Sequence, residues 1–246
     1  DMAIVMEDIG RITGLTRLEP RTSHAAAMPF LRMKVRLKRE IVTMGEAVAD
    51  PLAQVGTYVA PEDWNALVSD PDVLLIVGTF AGAIDPGTTS FGEFPDFVRD
   101  TLAQSRHRKV ALFCTGGIRC EKASSFLLAE GFAEVYHLKG GILGYLETIR
   151  PEDSLWQGGC FVFDRRVALG HGLAVEPVRL CLTCSAVIDG GGLQSPDYEE
   201  GVSCRACAPG LSEQQKASSR ARQHQIRLAE AKGQRHLGPA RGESGE

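Results

Sequence analysis

The chain has 246 residues, 43% of them hydrophobic, and its 27 Lys and Arg against 31 Asp and Glu leave a formal charge of −4. That length and apolar content exclude a disordered or fibrous chain and suffice for one large or two ordinary domains. No apolar run approaches a membrane span, no signal peptide is read, and four of the seven cysteines pair at metal-ligand spacing, so a soluble protein of the reducing cytoplasm is expected.

Residues 1–48 hold a helical opening, Met2 to Ile12, and then Arg32-Met33-Lys34-Val35-Arg36-Leu37-Lys38, in which apolar and basic residues alternate. A period of two puts Met33, Val35 and Leu37 on one face of a strand and the four cations on the other. Such a basic face can simply block edge pairing, but four cations in line favour an anionic partner. From Asp50 to about Arg150 strand-like runs at 73–77, 110–113 and 134–138 are separated by helical runs at 94–104 and 121–130, the grammar of a parallel α/β sheet. Gly131 is expected to cap the second helix, and Gly140-Gly141 marks the turn after the next strand.

Cys114-Thr115-Gly116-Gly117-Ile118-Arg119-Cys120 carries the most chemistry. A thiol sits where an apolar strand breaks into a glycine-rich turn that opens a helix. Paired glycines let successive amides turn inward, the helix start adds partial positive charge, and Arg119 adds a full one. Cys114 is therefore expected as a thiolate able to carry a persulfide, with Thr115, Gly116, Gly117 and Ile118 forming the anion-binding turn. Cys120 can resolve a persulfide, be the reactive thiol itself, or pack. Cys160, in the strand-like run 160–167, reads as a buried structural thiol, and His137 as a core residue. No histidine-rich metal triad, flavin or haem site is visible.

Cys181-x-x-Cys184 and Cys204-x-x-Cys207, nineteen residues apart, match a two-knuckle structural zinc site with four thiolates and no open position. Its Asp189-Gly190-Gly191-Gly192 loop supplies no core, so much of this unit's folding energy is expected from metal. Two redox-active thiol pairs are the weaker alternative, because no thioredoxin-like strand and helix flank them. From Ser212 to Arg241 seven basic residues, among them Lys216, Arg220, Arg222 and Arg227, face two acids. With Ala217, Ala221 and Leu228 they form a solvated helix suited to a phosphate backbone or to solubility alone.

The Cys-x-x-Gly-x-Arg pattern at Cys114 resembles the active loop of rhodanese-like domains. The longer string CTGGIRCEKAS resembles one branch, the rhodanese-type tRNA uridine hydroxylases. The likeness continues through KVRLKREIVTMG, GTYVAPEDWN, GTFAGAIDP, FGEFPDFVRDTL, GFAEVYHLKGGILGYLE, CFVFDRRV and the closing Cys-x-x-Cys pairs. It implies oxygen-dependent conversion of the wobble uridine to 5-hydroxyuridine, with Cys114 as nucleophile and Arg119 supporting it. It also implies molecular oxygen as co-substrate, the tRNA anticodon region as partner, a sulfur donor or reductant, and RNA contact by the basic strand and tail. One departure is that the Asp-x-Arg and downstream Glu usual before GTFAGAIDP are missing after Ile76. The chain also opens on Asp1, so earlier strands of an N-terminal sandwich are expected upstream.

The resulting expectation is an α/β enzyme with four parts. Residues 1–48 end an α/β sandwich, 49–150 form a rhodanese-like parallel sheet flanked by helices, 151–180 are a linker and strand segment, and 181–246 hold a zinc-ribbon-like module with its basic helix. The alternatives are a thiosulfate or persulfide sulfurtransferase, which leaves tail and zinc unit without a role, and a non-enzymatic zinc-ribbon RNA-binding adaptor. Retention of both Cys114 and Arg119 weighs against the adaptor.

Overall fold

The computed structural model describes residues 2–13, 25–26, 29–30, 38, 40–76, 80–106 and 108–233. The chain divides into a unit of residues 1–33 and one of residues 34–246. The first holds helix α1 (Met2–Thr13), which carries an Arg11–Asp8 ion pair of 2.7 Å one turn apart. The basic strand read at 32–38 lies outside the described residues except for Lys38, which is exposed.

The second unit is built on a four-stranded parallel sheet of β1 (Thr57–Val59), β2 (Val73–Ile76), β3 (Lys109–Leu112) and β4 (Val135–Leu138), in the order β1-β4-β3-β2. All four residues of β2 are buried, as a sheet covered on both faces requires. Helix α2 (Pro61–Val68) opens with proline in its first turn followed by Glu62 and Asp63, where fixed φ and negative charge both favour initiation. A helical run from Phe91 to Ser105 contains α3 (Phe94–Phe97) and a π-helical turn at Val98–Leu102.

Helix α4 (Ile118–Ala129) buries Cys120, Ala123, Phe126 and Leu127 on one face. It ends as expected at Gly131, whose φ is +91°: the Phe132 amide donates to Leu127 O and the Gly131 amide to Leu128 O, both at 3.1 Å, a Schellman cap. Lys122 on the same helix donates to Glu40 at 2.6 Å and to Val42 O at 3.2 Å, tying the segment before the sheet to α4. Helix α5 (Gly141–Thr148) buries Ile142, Tyr145 and Leu146.

Two apolar layers cover the sheet. One gathers Phe94, Val98, Leu112, Cys120 and Phe126; the other gathers Trp64, Phe80, Phe113, Tyr145 and Cys160. Residues 151–176 belong to this packing: Trp156 meets Phe80 and Phe113 edge-on at 5.2 and 5.9 Å, and β5 (Cys160–Phe161) pairs antiparallel with β6 (Ala168–Leu169). His137 is fully buried, and its Nε2–H donates to Gly56 O at 3.0 Å.

The chain then forms β7 (Arg179–Leu180), β8 (Val187–Ile188), the single turn α6 (Gly190–Leu193) and the long helix α7 (Glu213–Ala231). Ser212 and Gln215 cap α7 reciprocally, each side chain bonding the other's backbone amide. Among the described residues no helix is long and apolar enough to cross a membrane.

Candidate functional site

The loop after β3 is shaped mainly by the turn that precedes α5. Gly117 sits at φ +94° as the N-cap of α4, whereas Gly116 meets no other atoms within 4 Å at its Cβ position. Of the two glycines, Gly117 makes the left-handed turn. From below, the Ile142 amide donates to Cys114 O at 2.9 Å and the Leu143 amide to Thr115 O at 3.1 Å. The first turn of α5 thus fixes the loop's carbonyls and leaves its amides for the sulfur.

Those amides reach Cys114. The Gly117 N–H donates to Sγ at 3.1 Å. The thiol is lowered to about 6, chiefly by a hydrogen bond from the Cys120 side chain, with further help from the amides of Cys120, Arg119 and Gly117, against the opposing effect of burial. Cys120 moves the opposite way: its bond to Cys114 and complete burial hold it protonated, well above the usual thiol range. Arg119 acts on Cys114 through its backbone, while its guanidinium charge is felt at Cys120 and Cys160. The Cys120 thiol is a donor to Cys114 that the sequence did not reveal.

A pocket of about 490 Å³ opens at this end of the sheet. Cys114, Thr115, Arg119 and Cys120 form one wall; Phe91, Phe94 and the 85–90 loop form another; Trp156, Cys160 and Phe161 close the third. Its size suits a small ring with its immediate substituents. Cys160 is buried, as expected, but it borders this pocket, and burial pushes its thiol up to about 11 although the Thr115 hydroxyl partly offsets that. Its place here, with Trp156 and Phe161, was not readable from the local sequence, since only tertiary packing brings residues 156–161 over the Cys114 loop.

The four remaining thiols converge as their spacing implied. The ligand atoms of Cys181, Cys184, Cys204 and Cys207 all lie within 4.8 Å of one another and could hold a metal ion. Sulfur pairs stand at 3.6, 3.8 and 3.9 Å, too long for disulfides and close to the edge of a tetrahedron with metal–sulfur bonds of about 2.3 Å. Around them the core is small: Ile188 is the other buried member, with Ala186, Leu193 and Tyr198 half-buried against it.

The basic helix differs from a freely solvated one. Arg220 grips Glu199 through two bonds of 2.7 Å, Arg227 meets Glu200 at 2.8 Å, and Lys216 pairs with Glu213 at 3.1 Å. These arginines dock α7 on the segment that leads into the second cysteine knuckle. Arg222 has no carboxylate partner among the described residues and donates to Ser219 at 3.4 Å. Arg32, Lys34 and Arg36 lie outside the described residues.

A thiol at the end of a parallel strand, in an amide-lined turn that opens a helix, is the layout of a rhodanese-like protein, and the rhodanese-like domain family model matches residues 78–148. Curated relatives over most of the chain bear one name. A "tRNA uridine(34) hydroxylase" from Rhizobium leguminosarum bv. trifolii is 55% identical over 230 residues, covering 90% of this chain and 74% of the relative. Its namesake from Rhizobium etli is 56% identical over 231 residues, 90% and 75% of the two chains, and that from Mesorhizobium japonicum 50% identical over 247, 96% and 80%. The chain belongs to the tRNA uridine(34) hydroxylase family. A solved Rhodopseudomonas palustris protein of unknown function, described as a possible tyrosine phosphatase, covers 46% of this chain and 94% of its own at 20% identity, with a TM-score of 0.28.

Proposed function

We propose that this protein hydroxylates uridine at the wobble position of tRNA, using molecular oxygen and Cys114 as nucleophile. The observation that carries the reading is the Cys114 sulfur, lowered to about 6 inside a ring-sized pocket, in a chain at least half identical to proteins of that name. In the reading, the Cys114 thiolate adds to C6 of the uracil ring and its electron pair moves onto C5. Dioxygen accepts that pair and, with one proton, leaves a hydroperoxide at C5. A thiol reductant then supplies two electrons and two protons, so the O–O bond breaks to a C5 hydroxyl and water. Loss of the C5 proton and departure of the Cys114 thiolate restore the ring as 5-hydroxyuridine. Cys120 serves as donor to the thiolate both before addition and after release.

The Cys181, Cys184, Cys204 and Cys207 cluster would hold structural zinc, whose four thiolate bonds supply folding energy that so small a core lacks. The same amides that hold a thiolate favour a Cys114 persulfide, which supports sulfur transfer as the second reading. The two are tested by incubating protein and unmodified tRNA and weighing the digested nucleosides. A gain of oxygen that is absent with Cys114→Ser supports hydroxylation; a gain of sulfur supports transfer.

A further inference from the structure

We infer that the β5–β6 hairpin is a nucleic-acid finger: Phe163 stacks on an unpaired base of the RNA, Arg165 meets its phosphate, and Phe161 leads the target base into the Cys114 pocket. The inference rests on the proposed RNA substrate and adds the surface that grips it.

The hairpin tip alternates sharply. Cys160 and Val162 are each 4% exposed and point inward, whereas Phe161 is 37% and Phe163 74% exposed. Phe161, at the end of β5, and Phe163, in the loop that follows, have no packing reason to face water. Their rings meet edge to face, 5.3 Å apart at 89°, as one continuous aromatic surface. Arg165 is exposed two positions on and has no ion-pair partner among the described residues.

The tip is also braced from within. Asp164 turns inward, its side chain 4% exposed, and binds Arg166 through bonds of 3.0 and 2.6 Å. The Val162 amide donates to Val167 O at 2.8 Å, and Val167 takes a left-handed φ of +66° to close the turn. One charge pair staples the loop while the neighbouring aromatic and cation are held outward. A preorganised platform loses little freedom when a ligand lands on it.

The ligand class follows from where the platform leads. Phe161 lines the pocket that Cys114 also lines, so the aromatic surface extends from solvent to the rim of that pocket. A base must leave its stack to reach that sulfur, at a cost of a few kcal/mol that stacking on protein rings offsets. A cation beside the rings suits the phosphate that any such nucleotide carries. A peptide partner would need neither the cation nor the pocket.

The test measures binding of a fluorescein-labelled anticodon stem-loop RNA by anisotropy, with the full chain and with F163A, F163L, F163W and R165A. Stacking predicts that F163A and F163L weaken binding roughly 5- to 150-fold while F163W retains it. R165A should flatten the salt dependence by about one phosphate. Alkylation of Cys114 by iodoacetamide, which needs no RNA, shows whether each variant has kept its active loop. Unchanged affinity in F163A and F163L, or equal binding by F163L and F163W, overturns the finger. Hydroxylation by the unaltered protein is scored separately: if it occurs and F163A binds normally, the finger fails alone; if it does not occur and F163A binds poorly, the finger stands and the hydroxylase reading fails.

Discussion

Gly141 lies directly beneath the backbone of Cys114: its φ is +64°, and a Cβ there would collide with the Cys114 carbonyl and stand 2.6 Å from the Gly117 nitrogen. Gly141→Ala therefore combines left-handed strain with overlap against unyielding backbone, for a loss of about 2–4 kcal/mol. Gly116→Ala, which meets nothing, should cost a small fraction of that. Denaturant midpoints of the two variants check the contrast, and equal midpoints contradict the assigned geometry.

The Cys114–Cys120 pair predicts a pH profile. Since Cys114 is depressed to about 6, iodoacetamide should react quickly above that pH and slow as pH falls through it. Cys120→Ala removes the donor and should move the midpoint up toward the ordinary thiol range; Cys120→Ser keeps a donor and should hold it low. A wild-type midpoint near 9, or no difference between the two variants, refutes the donor role.

The strand–turn–helix layout at Cys114, the Schellman stop at Gly131 and the four metal-spaced cysteines were legible because each is local: turn chemistry and ligand spacing are written within a few residues. The other features were not, for a physical reason. Arg220 and Arg227 look like a free cationic stripe until folding brings Glu199 and Glu200 beside them. Strand β1 is three residues long with two exposed, too short for a period to emerge. Cys160 reads as an ordinary core thiol, and only packing of 151–176 on the sheet places it at the pocket.

The ion pairs that dock α7 make a second kind of test. If the helix also meets RNA, Glu199→Gln with Glu200→Gln frees Arg220 and Arg227 and should strengthen tRNA binding, steepening its salt dependence by about two phosphates. If the pairs only dock the helix, the double variant binds tRNA as before and α7 becomes more accessible to protease. Removal of residues 212–246 should weaken binding in the first case alone.

One zinc per chain is expected by elemental analysis, lost on Cys204→Ala. Chelation should open residues 179–210 to protease before the parallel sheet, because the sheet has its own apolar layers and the module's core is small and gathered around its cysteines. A metal-free preparation with an equally resistant module contradicts the structural role.

Oxygen-18 labelling tests Cys114-dependent hydroxylation most directly. The protein is incubated with unmodified tRNA and a thiol reductant under oxygen-18 gas, in parallel with nitrogen, and position 34 is analysed by high-resolution mass spectrometry. One oxygen-18 atom on uridine is expected, with no product under nitrogen and none with Cys114→Ser. Product that carries sulfur, that draws its oxygen from water, or that forms equally without dioxygen contradicts it.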